Sequence, residues 1–293
     1  MSAPARTVGV TGAAGFIGRR LVERFGARGW AVRAFQRSAA GPDSAEVSYR
    51  AFRLPDRVRE EDVAGLDALV HAAVQIWGPG HTDADAVNLE GTRRVIAAAR
   101  RHGVRLVFLS TLSAHPEAVS HYGRNKLEVE ALFDPARDAI LRLGLVLDRR
   151  GGLFGGMVET LRGSRIVPLV DGGRQPIQTL AMDDLLTLIE RVIANGIAGR
   201  FDVATPRVYR MRDLYDAILR ASPRRPWLVP VPLGAVLFGA TLLERLRIPS
   251  PVTRENVLGL RCLKAFDTAP DLARLGVTLE PLESCAARLL AEP

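Results

Sequence analysis

The sequence predicts an α/β fold, a doubly wound parallel sheet with a smaller C-terminal lobe, on three observations. Short apolar runs alternate with amphipathic helical runs through the first half of the chain. A glycine triplet stands at the junction of the first strand and the first helix. After about residue 150 the alternation gives way to helical and proline-rich sequence. Strand and helix in alternation imply right-handed crossovers and ligands at the C-terminal ends of the strands.

Taken in order, the expected strands are Thr7–Val10, Ala31–Phe35, Ala68–Val70, Leu106–Leu109 and Ile140–Leu147, with helices over Arg19–Arg28 and Leu89–Arg101 between them. A helix over Asp183–Ala194 and a strand over Arg200–Ala204 resume the pattern later. Residues 1–150 and 178–204 are therefore expected to form a dinucleotide-binding domain, and residues 151–177 and 205–293 a smaller substrate lobe. No internal repeat or low-complexity segment interrupts the chain.

Composition narrows the function classes. With 47% hydrophobic and 25% charged residues in 293, the chain can bury a full core and reads as a soluble globular protein. Its net charge of +8 is carried mostly by scattered arginines rather than by a dense basic run, which argues against nucleic acid and favours small anionic ligands. Cys262 and Cys285 are too few for a disulfide framework, and the five histidines show no metal-ligand spacing, so no metal is expected. The N-terminus lacks a secretory pattern, which makes a cytoplasmic location the expectation. The longest uncharged run, Pro226 to Leu243, is broken by Pro230 and Pro232. It leaves too short a helix to cross a bilayer and reads as a buried helix, with a membrane-surface helix flanked by Arg224, Arg225, Arg245 and Arg247 as the alternative. The oligomeric state is not legible.

The chemistry-bearing residues begin at Gly12-Ala13-Ala14-Gly15-Phe16-Ile17-Gly18. Gly12 permits a tight turn, Gly15 lets main-chain N–H groups approach phosphates, and Gly18 allows close packing of helix on strand. Further along, Tyr122 and Lys126 stand four apart and so share one helix face. A tyrosine, with a reference pKa near 10, needs about 4 kcal/mol of differential stabilisation to titrate near neutrality, and an ammonium beside it supplies stabilisation of that sign. Ser110, Thr111 and Ser113 offer hydroxyls at a strand end shortly before the pair. Asp183 and Asp184 are adjacent in a helix and do not face each other, so capping or surface roles are expected.

These segments together resemble the extended or atypical branch of the short-chain dehydrogenase/reductase superfamily, of the NAD-dependent epimerase/dehydratase type. Thr11 to Gly18 resembles its cofactor loop, His71-Ala72-Ala73-Val74 the end of its fourth strand, and Asn88-Leu89-Glu90-Gly91-Thr92 the following helix. Tyr122 and Lys126 match its YxxxK pair, Ile140 to Gly144 its sixth-strand motif, and Met182-Asp183-Asp184-Leu185 the return to the sheet. The resemblance implies a Rossmann sheet and hydride transfer between a nicotinamide cofactor and a small carbonyl or alcohol. Tyr122 would be the general acid or base, Lys126 would hold the ribose, and Thr111 would bond the carbonyl oxygen, with Ser110 and Ser113 as flanking alternatives. It also implies a cofactor site comprising Gly12, Gly15, Phe16, Ile17, Gly18, Gln36, Arg37, Ala72, Ala73, Asn88, Leu143, Tyr122 and Lys126.

The departures carry information as well. Gln36-Arg37 stands where NAD-preferring members carry an acidic residue; no carboxylate is there to repel a 2'-phosphate, and Arg37 can grip one. NADP(H) is therefore expected, with NAD(H) possible as a second cofactor. Arg53 replaces an acidic adenine contact, and Leu143 a common proline. Ile177 occupies the position of the diphosphate-binding arginine of sugar-nucleotide epimerases, with Arg174 nearby. Trp77 is a candidate for the substrate entrance. The leading expectation is an NAD(P)H-dependent oxidoreductase. A sugar-nucleotide epimerase or 4-reductase is the alternative, and a non-catalytic NADPH-binding subunit like the accessory subunit of respiratory complex I is the alternative of another class.

Overall fold

A computed structural model describes residues 6–41, 45–76, 83–222, 225–246 and 253–291. Trp77, Arg224 and Arg247, named above, and His81, one of the five histidines, lie outside the described residues. The chain divides into two compact units, one of residues 1–110, 125–142 and 186–201, the other of residues 111–124, 143–185 and 202–293.

The first unit is organised by a seven-stranded sheet. Its elements in chain order are β1 (Thr7–Thr11), α1 (Phe16–Ala27), β2 (Ala31–Gln36), β3 (Val47–Ala51), β4 (Ala68–His71), α2 (Ala84–Arg101), β5 (Arg105–Thr111), α3 (His121–Glu130) and β6 (Ala139–Leu143). The sheet order is β11-β6-β5-β4-β1-β2-β3, where β11 spans Gly199–Val203. The order reverses between β1 and β4, the switch point at which doubly wound sheets open a crevice beyond their strand ends. The pairs β1/β2, β1/β4, β2/β3 and β4/β5 are all parallel. Val8, Val10, Leu69 and Val70 are buried as central parallel strands require. The core is aromatic, including Phe35, Phe52, Phe108 and Phe133, and the Phe108 and Phe133 rings stack with centroids 4.6 Å apart. Strand β3, half-buried along its length, was not among the sequence expectations.

The second unit contains β7 (Leu145–Leu147), α4 (Gly152–Gly163), β8 (Ile166–Val170), β9 (Pro176–Ile177), β10 (Thr179–Ala181), β12 (Tyr209–Arg210), α6 (Met211–Arg220), β13 (Trp227–Val231), α7 (Leu233–Arg245), α8 (Arg254–Arg261), α9 (Ala269–Leu275) and α10 (Leu282–Ala291). Helix α5 (Met182–Asn195) starts in this unit and continues in the first. Phe154, Leu161, Leu214, Ile218, Leu282 and Leu289 form the centre of its core.

Two sequence expectations need correction. The strand expected over Ile140–Leu147 is two strands: β6 belongs to the large sheet, while β7 pairs with β10. Gly144 makes the change of sheet possible, because a Cβ there would lie 2.5 Å from the Gln178 carbonyl oxygen and 2.6 Å from Ala204 Cβ. The apolar run Pro226–Leu243 is not a buried helix. It folds as strand β13 and helix α7, and of α7 only Ala240 is buried.

Candidate active site

The glycine triplet closes a turn at the end of β1. Gly12 adopts φ +68°, a left-handed conformation that favours glycine, and a Cβ on it would press within 3.0 Å of the Ala73 backbone. At Gly18 a Cβ would meet the Gly12 carbonyl oxygen at 2.1 Å, so α1 can start this close to β1 only with glycine there. Gly15 is the N-cap of α1, and no side chain caps the helix. The first turn, Phe16-Ile17-Gly18, thus presents backbone N–H groups and the positive end of the helix dipole without an internal acceptor, an arrangement suited to an anion.

Beside this turn β2 ends at Gln36, whose amide donates to the Ala40 carbonyl at 2.8 Å. Arg37 follows and is exposed. A shallow hollow opens here within the first unit, lined by residues including Thr11, Phe35, Phe52, Arg57, Arg59 and Asp62. Arg53 faces solvent, 3.6 Å from Asp56.

At the end of β4 the structure builds a buried polar chain. The Ala72 and Ala73 N–H groups both donate to Thr11 Oγ1 at 3.2 Å, so the Thr11 hydroxyl has its own proton left for His71 Nδ1, 2.8 Å away. His71 is then the Nε2–H tautomer and donates to Thr92 Oγ1 at 3.0 Å. Burial pushes the His71 pKa down to about 3, reinforced by the Lys126 charge, which keeps the ring neutral. Asn88 bonds both backbone groups of Gln75, accepting from its N–H at 2.7 Å and donating to its carbonyl at 2.8 Å. It also donates to Asn125 Oδ1 at 2.9 Å, and Asn125 in turn donates to the Asp85 carbonyl at 3.0 Å. Asn125 therefore ties α3 to α2. Sequence reasoning passed over it, because its partners lie about forty residues away.

Helix α3 carries Tyr122 and Lys126 four residues, one turn, apart. Lys126 is buried; its ammonium donates to the Leu109 carbonyl at 2.7 Å and lies 4.6 Å from the centre of the Phe108 ring. Desolvation pushes its pKa down to about 8, opposed by the Glu130 charge. Tyr122 is 41% exposed, and the protein packed around it still desolvates its hydroxyl and pushes its pKa up. The Lys126 ammonium is directed at Leu109 and Phe108, and burial is the cause that raises the Tyr122 hydroxyl, opposite in direction to the lowering expected from an adjacent ammonium.

Among the three candidate hydroxyls, Ser110 is committed elsewhere, since it donates to Glu130 Oε1 in the first unit. Glu130 also receives Arg142, at 3.0 and 2.9 Å from Nε and 2.6 Å from Nη2. Thr111 Oγ1 accepts the Ser113 N–H at 3.2 Å, which leaves the hydroxyl proton available to a further acceptor. Gly123 directly follows Tyr122, and a Cβ there would lie 2.6 Å from the Ser113 carbonyl oxygen. That absent side chain lets the segment after β5 pack against the turn of α3 that bears Tyr122. The Leu143 carbonyl accepts the Leu112 N–H at 3.0 Å, fastening the same segment from its other side. No cluster of metal-ligating side chains occurs among the described residues. Asp183 and Asp184 bond Arg288 and the Glu280 N–H respectively.

The sheet order and the glycine turn define a doubly wound α/β protein of the Rossmann type. The profile of the NAD dependent epimerase/dehydratase family matches residues 8–139. The chain is 31% identical over 251 residues to a ceramide reductase of Caulobacter vibrioides, covering 81% of this chain and 77% of that protein. A UDP-glucose 4-epimerase of Mycolicibacterium smegmatis is 29% identical over 296 residues, covering 85% and 91%. Among solved structures, human epimerase family protein SDR39U1 with NADPH superposes with a TM-score of 0.76 over 98% of this chain and 100% of that one, at 19% identity. This chain belongs to the NAD dependent epimerase/dehydratase family.

Proposed function

We propose that the protein is an NADPH-dependent reductase of a ketone or aldehyde. In this reading residues 1–150 and 178–204 serve the cofactor, and residues 151–177 and 205–293 the substrate. The observation that carries it is the close approach at Gly123, which seats the Thr111–Ser113 segment against the turn of α3 bearing Tyr122. An acid and a hydrogen-bond donor then stand on neighbouring backbone, as carbonyl reduction requires.

The turn at Gly12, Gly15 and Gly18 fits a dinucleotide pyrophosphate, because glycine at position 18 lets α1 start against the Gly12 turn and the first turn of α1 has no capping side chain. Phe16, Ile17, Ala72, Ala73, Asn88 and Leu143 complete the proposed binding surface. Arg37, exposed at the end of β2, would grip a 2'-phosphate. The bound cofactor supplies the hydride. Tyr122 gives its proton to the carbonyl oxygen, and its raised pKa keeps it in the protonated form that a reduction consumes. Thr111 donates a hydrogen bond to the same oxygen. Lys126, held at the Leu109 carbonyl, holds the ribose hydroxyls and contributes positive charge. The ceramide reductase among the relatives makes long-chain carbonyl compounds the first substrates to test.

The epimerase relative supports a second reading, interconversion of a sugar nucleotide. Against it stands Ile177, the position of the epimerases' diphosphate-binding arginine, which lies buried in a hydrophobic core opposite Tyr209. In a carbonyl screen followed by NADPH absorbance, Tyr122→Phe is expected to lose turnover by a factor of about 10² or more while binding NADPH normally. Arg37→Ala is expected to bring the NADPH and NADH affinities together. Undiminished turnover by Tyr122→Phe contradicts the chemistry; equal affinities in the parent protein contradict the cofactor assignment.

A further inference from the structure

We propose that a face of the second unit, made by α7 and the outer side of the β8/β13 ribbon, docks on the surface of an anionic phospholipid bilayer. Helix α7 has no charged residue from Leu233 to Leu243. Such a helix is normally buried all round. Here only Ala240 is buried, and at 100° per residue Ala235, Phe238, Leu242 and the following Leu246 fall on one side. Phe238 is 72% exposed and Leu246 60%.

The ribbon presents a second face of the same kind. Strands β8 and β13 run parallel with Trp227 opposite Ile166 and Val229 opposite Pro168. Their alternation turns Val167 and Leu169 into the core and leaves Ile166 at 65% and Trp227 at 78% exposed. Pro232 joins β13 directly to α7, and the Leu233 N–H donates to Asp171 Oδ1 at 2.8 Å just beyond β8. The two apolar faces are consecutive in the chain and fastened together. Exposed apolar faces that follow one another in this way mark a contact.

The rim identifies the occupant. Arg165 precedes Ile166, Arg225 stands two residues before Trp227, and Arg245 ends α7; all three are exposed. The acidic residues at the same border are engaged by backbone, Asp171 with Leu233 N–H and Glu244 with Arg254 N–H at 2.7 Å. An apolar centre, a tryptophan at its edge and guanidinium groups around it match the order of acyl chains, interface and headgroup phosphates in a bilayer. A second copy of the chain meeting the same face across a two-fold axis would bring these arginines toward their own equivalents. No helix among the described residues is long and apolar enough to cross a membrane, so the contact is with its surface.

The test is co-sedimentation of the full chain with vesicles of phosphatidylcholine alone and of an equal mixture of phosphatidylcholine and phosphatidylglycerol. The protein is expected to sediment with the mixed vesicles and less with the neutral ones. Phe238→Ser combined with Leu242→Ser should lower the bound fraction roughly tenfold or more with unchanged circular dichroism and melting. Arg165→Gln with Arg225→Gln should abolish only the preference for the anionic lipid. Failure to sediment with either vesicle overturns the proposal, as does binding indifferent to the serine pair. A dimer in sedimentation equilibrium that the serine pair splits, without vesicle binding, assigns the face to a second copy and overturns it equally.

Discussion

His71, which the sequence marks only as part of a strand-end motif, closes β4 as a neutral, doubly bonded ring, and that state has a consequence for stability. The unfolded chain protonates His71 near 6.5, whereas the folded chain resists until about pH 3. Between those values the unfolded state binds more protons, so stability falls as the pH is lowered, by up to about 1.4 kcal/mol per pH unit. His71→Asn cannot titrate. It should start less stable than the parent at neutral pH, because the Thr11 to Thr92 bridge is broken, and the gap should narrow on acidification from pH 6.5 to pH 4.5. Urea midpoints across that range measure it; parallel slopes for the two proteins would mean that His71 is not the group responsible. Arg37 and Tyr122 were legible as candidates because each sits within a short local pattern. The tautomer of His71 and the commitment of Ser110 to Glu130 were not, since both depend on residues twenty or more positions away.

Helix α3 is held by pairings that no periodicity reveals. Its own sequence is short and only weakly amphipathic, yet Asn125 fastens it to α2, and Glu130 fastens it to Ser110 of β5 and Arg142 of β6. The Glu130 and Arg142 side chains are 4% and 13% exposed, so removing one partner strands the other away from water. Arg142→Met is expected to cost about 3–5 kcal/mol in urea unfolding. Adding Glu130→Gln should recover part of that loss, because the unpaired charge disappears. A double variant no better than the single would show that packing of the arginine stem, not the stranded charge, sets the cost. At the same scale Gly144 explains why one apolar run became two strands: runs of hydrophobicity locate strands, but a change of sheet is dictated by what a Cβ would strike.

For the molecule as a whole, the order of strands and helices in the first half was legible because each element repeats its own period and the glycine turn marks one junction. The late, proline-rich part was less so. Its apolar run carried the composition of a buried helix, and burial is decided by what packs against a segment rather than by the segment itself; α7 keeps one buried residue. The same limit applies to the chemistry. Reductases and epimerases share the glycine turn and the YxxxK pair; in the first the cofactor leaves oxidised after giving up a hydride, whereas in the second it takes a hydride from the substrate and returns it to the same molecule. Exposed Arg37 and buried Ile177 both favour net reduction. The most direct measurement is therefore the stoichiometry of cofactor to product with a long-chain carbonyl substrate, followed by nicotinamide absorbance and mass spectrometry. The account predicts one NADPH oxidised per alcohol formed. Turnover of a sugar nucleotide between two epimers, with no net change in nicotinamide absorbance, would contradict it.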